Sequence, residues 1–544
     1  MKKKLLCLLL CAVMLVSVLT GCAGEVDPTA SADSSRKTVT LTMWMICDEP
    51  VSPETEATIE EAFNTITEAD YATHVDLVFC TADEYEAKLE QKFHYIESNP
   101  GKSKPSQNPY ITITNKTYRD EEGMTRLEYP KVWEYQMDIV LITSRTMLDR
   151  FISKGRVQDL TNSLNTTNKI IKKYVNNALL DNAAINGKWY GIPNNNIIGS
   201  YTFMLVNKEM ATKYGYEGEQ FTSFGAGTPA AELIEKIAEN EDTAKIAPMY
   251  GMADYPLVKY WSTYGSDAPS VLATMYANSS VQIGNAITAV NIFSDTSYQA
   301  FMREMFHCKE NGYFVNADQP QEDFGVAILE GDYSFYSTYG EDYYVVPLTY
   351  PRLEDDNIFG SMFAVSSYTT NLDRSMEIIR ALTCETGLRN ILQYGVEGTH
   401  YEIRDDGTLK RLNKNYMMNI NYTGNTFKAY PEEGMPADFW QDVAKHQNRE
   451  ALLSIAFGTA SYLKDVDADA WEQMSVVSKA YFERLNKCET LAELESFFAV
   501  AAEEVSTSDY YAELNPILDG KEYDMSALNG ALQNWWNTVY GGQA

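Results

Sequence analysis

The chain has 544 residues, a formal net charge of −32, 45% hydrophobic residues and 22% charged residues. A chain of this length exceeds what one hydrophobic core organises, so two lobes or domains are expected. The composition argues against disorder, and the acidic balance argues against nucleic acid or an anionic lipid surface as a partner. The five histidines are scattered without ligand spacing, so neither a metal site nor a cofactor is expected.

The first 21 residues have the layout of a secretory signal peptide. Three lysines precede an apolar run from Leu5 to Leu19, which is too short for a mature membrane span. The end of the run, Leu19-Thr20-Gly21-Cys22, resembles a bacterial lipobox. This resemblance implies cleavage before Cys22 and its lipidation, with residues 22–38 as a polar tether. The mature protein is then expected on the outer face of the cytoplasmic membrane, anchored through its N-terminal lipid alone.

Five cysteines remain beyond Cys22. An odd number without tight spacing does not describe a disulfide framework, so free buried thiols are expected. Cys47 and Cys80 are the one pair that merits a check.

Strand and helix patterns alternate three times over residues 39–153. Near-continuous apolar runs predict strands that are buried on both faces of a sheet, and each run is followed by an amphipathic helix. The strands are predicted at 39–46, 74–79 and 138–142, and the helices at 54–68, 82–96 and 147–153. Residues 99–131 interrupt this order and predict an inserted hairpin. The alternation specifies an α/β lobe with a parallel sheet.

Ligand sites in such sheets form at the carboxyl ends of the strands. Polar side chains follow all three predicted strands: Asp48, Glu49, Thr81, Asp83, Ser144 and Arg145. Asp48 can accept hydrogen bonds from two ligand hydroxyls, or it can cap a helix or lie in a solvated loop. The guanidinium of Arg145 suits a sugar, an acidic ligand or an ion pair equally well.

Residues 186–208 contain a turn, an extended segment, three consecutive amides and a β-rich run, and the two halves of the chain are interpreted relative to them. Asn186-Gly187 predicts a tight turn, because both residues tolerate positive φ. Pro193 then favours extended backbone, and three amides, Asn194, Asn195 and Asn196, precede a β-rich run at 201–206. Two interpretations are open, an ordinary hairpin with a polar bend or a crossing from one lobe to another that the amides line.

The second half predicts further helices and strands. The helices are predicted at 230–239, 298–311, 321–329, 371–394, 471–485, 491–505 and 528–540. Strands are predicted at 330–336 and 358–366, and residues 345–348 are an extended segment that could return the chain to the first lobe. The sequence at 465–470 begins like a calcium loop, but Ala470 and Val476 replace the glycine and glutamate that such a loop needs.

Several short motifs follow one another in a characteristic order. They are Trp44 in the first strand, Asp-Ile-Val at 138–140, Trp-Tyr-Gly-Ile-Pro at 189–193, Glu-Gly-Asp-Tyr at 330–333, Gly-Ser-Met-Phe-Ala-Val at 360–365, and the segment 394–401. In this order they resemble family 1 of the extracellular solute-binding proteins, the sugar-capturing lipoproteins of ATP-driven (ABC) importers.

The resemblance implies a periplasmic-binding-protein-like fold, with two α/β lobes of parallel-type sheets joined by crossing hinge strands. Lobe 1 would span 39–193 and 346–395, and lobe 2 would span 194–345 and 396–544. The implied function is that of a monomeric binding protein, not an enzyme, which captures a carbohydrate and delivers it to an ABC permease. An oligosaccharide is the expected ligand.

The implied ligand cleft lies between the lobes. Its expected residues are Trp44, Asp48, Glu49, Asp83, Ser144 and Arg145 from lobe 1, the crossing amides Asn194, Asn195 and Asn196, the aromatic residues Trp261, Tyr264, Tyr336 and Tyr339, and Glu397 and His400 at the third crossing. Each aromatic residue could instead belong to a core. His400 is interpreted as a hydrogen-bonded hinge residue rather than a catalyst.

Two other functions stay open. The many carboxylates could supply the acid pair of a secreted glycoside hydrolase-like enzyme, although no spacing identifies such a pair. The second alternative is a receptor for a peptide or another non-sugar solute.

Overall fold

The structure is a computed structural model of the chain. It describes residues 36–512, except for 101–116, 120–124, 128–131, 176, 252–261, 264–271, 275–288, 320, 322, 354, 417, 449–450, 454–467 and 510–511. The signal peptide, Cys22, the predicted helix at 528–540 and the candidates Trp261 and Tyr264 therefore lie outside the described residues.

Helices and strands alternate through most of the described chain. The strands are β1 (Val39–Cys47), β2 (Thr73–Thr81), β3 (Thr117–Arg119), β4 (Thr125–Leu127), β5 (Ile139–Ile142), β6 (Ile192–Pro193), β7 (Tyr201–Asn207), β8 (Ala247–Gly251), β9 (Ser262–Thr263), β10 (Leu272–Thr274), β11 (Ala289–Asn291), β12 (Phe314–Asn316), β13 (Phe324–Gly331), β14 (Tyr343–Thr349), β15 (Arg352–Leu353), β16 (Met362–Val365), β17 (Tyr401–Ile403), β18 (Leu409–Arg411) and β19 (Leu452–Leu453). The helices are α1 (Pro53–Tyr71), α2 (Ala82–Glu97), α3 (Arg145–Ser153), α4 (Thr161–Asn165), α5 (Ile171–Tyr174), α6 (Asn177–Asn182), α7 (Lys208–Lys213), α8 (Pro229–Asn240), α9 (Thr296–Glu310), α10 (Phe335–Tyr339), α11 (Asp355–Phe359), α12 (Leu372–Cys384), α13 (Gly387–Tyr394), α14 (Phe439–Asp442), α15 (Ala468–Leu485) and α16 (Leu491–Ser506).

The first sheet has the strand order β2-β1-β5-β16-β6. Strands β2, β1 and β5 run parallel, whereas β16 pairs antiparallel with both β5 and β6. Strands β1, β5 and β16 are buried on both faces, because helices pack on each side of a parallel sheet, whereas edge strand β2 alternates between buried and half-buried residues. The three predicted strand–helix units are confirmed here, and β3 pairs with β4 as the predicted inserted hairpin.

A buried carboxylate connects the centre of this sheet to a later loop. Asp138, just before β5, is fully buried. Its oxygens accept from the backbone N–H of Thr42 at 2.8 Å, the amide of Gln136 at 2.7 Å and the hydroxyl of Thr369 at 2.7 Å. Burying a charge is costly unless donors surround it, and these three donors come from β1, the β5 approach and the loop before α12. The Asp-Ile-Val motif thus has a structural role.

The exposed edge of the sheet is covered by side chains rather than by another strand. Asn64 of α1 accepts from the backbone N–H of Val75 at 2.7 Å and donates to its carbonyl at 2.9 Å. Glu60, one turn earlier, accepts from the N–H of Leu77 at 3.0 Å. These bonds occupy backbone groups of β2 that an edge strand otherwise presents to other chains.

The second sheet has the order β12-β8-β13-β7-β14. Strands β12, β8 and β13 are parallel, and β7 and β14 add antiparallel pairings. Helices α8, α9, α15 and α16 surround the core of this sheet, which is separate from the core of the first sheet. The division of the chain into lobes with the predicted boundaries stays a prediction.

Three predicted elements are wrong. The helix predicted at 321–329 is strand β13, and the strand predicted at 330–336 contains the end of β13 and the start of α10. The segment 345–348 lies in β14 of the second sheet and does not return to the first. A short continuous apolar run does not separate a buried strand from a buried helix, so pairing with β7 and β8 decides the outcome for β13.

Smaller differences concern boundaries. The strand predicted at 358–366 begins as helix α11 and becomes β16 only at Met362. The helix predicted at 371–394 is two helices, α12 and α13, and its predicted end at Gly395 is confirmed by a positive φ of 83°. The last residues of the predicted tether, 36–38, contact the first lobe: the guanidinium of Arg36 lies 2.6 Å from the carboxylate of Glu377, and Thr38 is buried.

All five cysteines of the described chain are free, as predicted, but only Cys47, Cys80 and Cys308 are buried, whereas Cys384 and Cys488 are half-buried. Cys47 lies opposite Thr81 in the strand register, and Cys80 lies opposite Ile46. Residues in register point to the same face, so the side chains of Cys47 and Cys80 point to opposite faces of the sheet. The two thiols therefore do not pair.

We expect His74 on β2 to make the stability of the first lobe depend on pH. Burial lowers the pKa of His74, but hydrogen bonds with the carboxylates of Asp76 and Glu68 outweigh it and raise the pKa to about 9. Because this pKa exceeds the unfolded value of about 6.5, the stabilisation is complete below about pH 6.5 and lost as the pH rises through about 9. His74→Gln should lower the free energy of unfolding by about 1–3 kcal/mol at pH 6 and far less at pH 10.

Urea unfolding at both pH values measures this effect. The exposed His94→Gln serves as the control, which should match the wild type throughout. A destabilisation by His74→Gln that is equal at both pH values would contradict the ion-pair account.

Candidate functional site

The first crossing connects the two sheets directly. Asn186 and Gly187 form the predicted turn, with φ of 51° and 74°, between the paired residues Ile185 and Lys188. Strand β6 then pairs with β16 in the first sheet, while β7 pairs with β13 and β14 in the second. Because β6 and β7 lie in different sheets, the hairpin interpretation is excluded and the crossing is confirmed, with residues 194–200 as the connection.

Amide side chains hold this connection on the side of the first sheet. Asn194 is buried, and its side-chain nitrogen donates to the hydroxyl of Ser361 at 2.8 Å and the carbonyl of Asn421 at 3.2 Å. Asn196 accepts from the hydroxyl of Thr426 at 2.7 Å and donates to the same Asn421 carbonyl at 3.4 Å. The crossing is therefore bonded both to Ser361, which directly precedes β16, and to the 420–428 segment.

Two further amides hold the connection from the other side. Asn448 accepts from the backbone N–H of Ile198 at 2.9 Å and donates to the carbonyl of Asn196 at 3.0 Å. Gln447 donates to the carbonyl of Gly199 at 2.7 Å and accepts from the backbone N–H of Tyr333 at 3.0 Å. Both come from a π-helix at Val443–Asn448, a rare conformation that is frequent at functional sites. We call the side chains of Asn194, Asn196, Gln447 and Asn448, together with the main-chain carbonyl of Asn421, the amide clasp.

The predicted amides thus lie at the crossing, but their described partners are protein groups. Asn195 is fully buried and donates to the carbonyl of Tyr174 at 3.2 Å. Sequence reasoning missed Asn421, Gln447 and Asn448, because amides in a polar region carry no periodic signal. Only the fold brings them to the crossing, from more than 220 residues further along the chain.

The candidates at the strand ends of the first sheet differ in what they contact. Asp48 and Glu49 are exposed beyond β1, where partial desolvation by neighbouring atoms, and then the charge of Glu49, raise the pKa of Asp48. Asp83 is exposed in the first turn of α2 and accepts from the hydroxyl of Thr81. Trp44 is half-buried, and its indole N–H has no hydrogen-bond partner in the described part of the chain. These side chains form the polar edge of the first sheet.

Two other candidates in this lobe have local structural partners. Ser144 caps helix α3 by accepting from the N–H of Met147 at 3.1 Å. Arg145 pairs with Asp149 one turn later at 2.9 Å, and its guanidinium lies 4.9 Å from the ring centre of Phe359. Of the three roles open to Arg145, the structure shows the ion pair. Their contribution to a ligand site stays a prediction.

The two described aromatic candidates of the second lobe are half-buried and packed on other rings. Tyr336 makes an edge contact with Phe203 at 5.4 Å between ring centres, and Tyr339 makes one with Phe335 at 5.0 Å. Tyr333, which was not predicted, stacks on His446 at 4.4 Å with the rings 6° from parallel. These rings hold α10 against β7 and the π-helix.

The two candidates at the predicted third crossing, Glu397 and His400, differ in exposure. Glu397 is exposed, whereas His400 is buried and accepts from the backbone N–H of Val396 at 3.1 Å. Burial lowers the pKa of His400, so the ring is neutral near pH 7. The hydrogen bond of His400 is as predicted, and its hinge role stays a prediction.

A cavity of about 620 Å³ opens beside the crossing. The residues of one wall come directly after β13 in the chain. The last residue of β13, Gly331, pairs with Tyr201 at the start of β7. The other wall comes from the β17–β18 hairpin and the loop before α14. The lining residues are Asp332, Ser334, Ser337, Thr338, Asp406, Thr408, Gly434, Met435, Pro436 and Phe439.

Comparison with known proteins places this architecture in a class. No protein-family model matches the chain. A carbohydrate ABC transporter substrate-binding protein from Streptococcus pneumoniae serotype 4 (strain ATCC BAA-334 / TIGR4) is 23% identical over 327 residues. The match covers 56% of this chain and 63% of that relative's length.

Solved structures extend the likeness over nearly the whole chain. The crystal structure of the N-glycan transport solute binding protein NgtS from Streptococcus pneumoniae has a TM-score of 0.57 at 17% identity, covering 93% of this chain and 100% of that one. The same protein in complex with Man1GlcNAc has a TM-score of 0.50 at 16% identity, covering 92% and 100%. The chain therefore shares the α/β fold of this solute binding protein. The periplasmic-binding-protein-like α/β fold that the motifs imply is confirmed.

Proposed function

We propose that the protein captures an oligosaccharide outside the cytoplasm and delivers it to the permease of an ABC importer. The observation that carries this proposal is the crossing, which leaves the first sheet beside the carboxyl end of β5 and enters the second sheet beside the carboxyl end of β13. Ligands of open α/β sheets bind in the crevice beyond the strand ends. The relatives described above are named for carbohydrate and N-glycan transport.

Ligand binding would hold the two lobes closed around the sugar, as hinge closure does in binding proteins. The first wall would carry Asp48 and Glu49, which the structure leaves exposed at the carboxyl end of β1. The amide clasp would keep the connection between the lobes in place while they move. A binding role is favoured over a glycoside hydrolase-like enzyme because the relatives are solute-binding and substrate-binding proteins.

The proposal includes a membrane anchor at Cys22, the end of the lipobox-like motif. Among the helices of the described residues, none is long and apolar enough to cross a membrane. The segment from Cys22 to Arg36, the first described residue, would then act as the tether between the lipid and the first lobe.

A panel of carbohydrates tests the binding function. We expect isothermal titration to detect at least one oligosaccharide among maltotriose, mannotriose, chitotriose and Man1GlcNAc. The same sugar should raise the melting temperature, because a ligand at about 100 times its Kd stabilises the native state by about 2.7 kcal/mol. Release of reducing sugar would favour the hydrolase, and silence across the panel with binding of a mixed tripeptide library would favour the peptide receptor.

The anchor has a separate test. The Cys22→Ala variant should fold normally and leave the membrane fraction, because the acyl chains carry the membrane affinity. Fractionation of cells that produce the full chain, followed by a high-salt wash, measures this. A variant that still sediments with membranes would show a second anchor.

A further inference from the structure

The cavity beside the crossing combines three kinds of group. Two carboxylates, those of Asp332 and Asp406, line it from different segments of the chain, and four hydroxyls come from Ser334, Ser337, Thr338 and Thr408. Met435, Pro436 and Phe439 add apolar surface. Its volume of about 620 Å³ lies within the range of roughly 300–1,000 Å³ that small-molecule sites occupy.

Each carboxylate is oriented by its own turn. The Oδ1 atom of Asp332 accepts from the backbone N–H of Ser334 at 2.8 Å, and that of Asp406 accepts from the N–H of Thr408 at 2.9 Å. The Thr408 hydroxyl adds a bond of 2.6 Å to the same oxygen, and these bonds hold the pKa of Asp406 below its usual range. Because the turns use Oδ1, the second oxygen of each group can accept from a ligand hydroxyl.

The charge of the lining is entirely negative. No lysine, arginine or histidine is among the lining residues that the structure describes. The guanidinium of Arg404, which is not a lining residue, binds Glu433, and its Nε lies 4.0 Å from Oδ2 of Asp406. Arg404 shares its charge between Glu433 and Asp406, so an anionic ligand would still meet the full charge of Asp332 and part of that of Asp406, and like charges at close range repel.

We propose that this cavity is a subsite for a neutral, hydroxyl-rich sugar unit of the bound oligosaccharide, and that it selects against uronic and other acidic sugars. Carboxylates accept from sugar hydroxyls, the lining hydroxyls donate and accept, and the C–H face of a pyranose packs on Met435 and Pro436. The subsite rests on the proposed function and adds the class of sugar to it.

The cavity lies next to the crossing through a short chain of bonds. Tyr333 follows Asp332 and donates its backbone N–H to Gln447, which in turn donates to the carbonyl of Gly199. An oligosaccharide that spans the interlobe crevice can therefore place its end unit in the cavity without leaving the protein surface.

The test titrates the full mature protein with neutral and acidic trisaccharides of equal length, mannotriose and trigalacturonic acid, and with Man1GlcNAc. We expect a neutral sugar to bind and trigalacturonic acid to bind at least about tenfold more weakly or not at all. Asp332→Asn and Asp406→Asn should each weaken neutral-sugar binding about tenfold or more, because each removes a charged acceptor. In both variants the retained Oδ1 can still accept from the turn.

Two further variants separate binding from folding. Asp242→Asn is the matched control, since Oδ1 of Asp242 also accepts from the N–H two residues later, Ala244, at 3.2 Å, outside the cavity. It should bind sugar as the wild type does. Thr338→Trp places a large ring at an exposed lining position and should abolish binding of the neutral sugar without lowering the melting temperature.

The outcomes distinguish the two proposals. A wild type that binds neutral sugars while all three cavity variants bind equally well would overturn the subsite and leave the proposed function in place. Equal or tighter binding of trigalacturonic acid would overturn the selection for neutral sugars. A wild type that binds none of the sugars would overturn both the proposed function and the subsite.

Discussion

The arrangement of the two sheets depends on the amide clasp. Residues 194–200 connect the sheets without regular strand pairing, so their backbone groups need other partners. Asparagine and glutamine side chains suit this task because each carries a donor and an acceptor that mimic a peptide group. Asn448 bonds both the N–H of Ile198 and the carbonyl of Asn196, as a neighbouring strand would. The clasp thus lets an irregular segment be buried at the junction of the lobes.

The clasp also explains why the C-terminal region is part of the hinge. The 420–428 segment bonds Asn194 and Asn196, and the π-helix bonds Ile198, Gly199 and Tyr333. Through Tyr333 the same contacts reach the end of β13 and one wall of the cavity. A single polar network therefore connects the first sheet, the second sheet and the proposed sugar subsite.

Local patterns predict the parts of this fold that local physics determines. Apolar runs and helical spacing located β1, β2 and β5 with their helices, and the Asn186-Gly187 turn followed by Pro193 located the crossing. Strand β13 was missed because its continuous apolar run has no period, and its state depends on pairing with β7 and β8. The partners of the crossing amides could not be predicted either, because they lie far away in sequence and only the fold brings them to the crossing.

The candidate site was predictable only in part. The rule that ligands bind at the carboxyl ends of strands identified Asp48 and Glu49, which are exposed beyond β1. It also selected Ser144, which caps a helix, and Arg145, which pairs with Asp149. A side chain after a strand often begins the next helix, and sequence alone does not separate capping from binding. The cavity escaped notice because its two aspartates lie 74 positions apart, at 332 and 406, and each reads alone as a turn residue.

Hydrogen–deuterium exchange at residues 194–200 tests the central claim most directly, in the wild type and in Asn448→Ala. The clasp predicts slow exchange of the Ile198 amide in the wild type, comparable with β7, although the segment has no regular structure. The Asn194 amide, which donates to the main-chain carbonyl of Ser361 at 2.9 Å, should exchange slowly in both proteins and serves as an internal reference. In the variant the Ile198 amide should exchange much faster, while helix α8 stays unchanged. Fast exchange of the segment in the wild type, or no change in the variant, would contradict a clasp that holds the two lobes together.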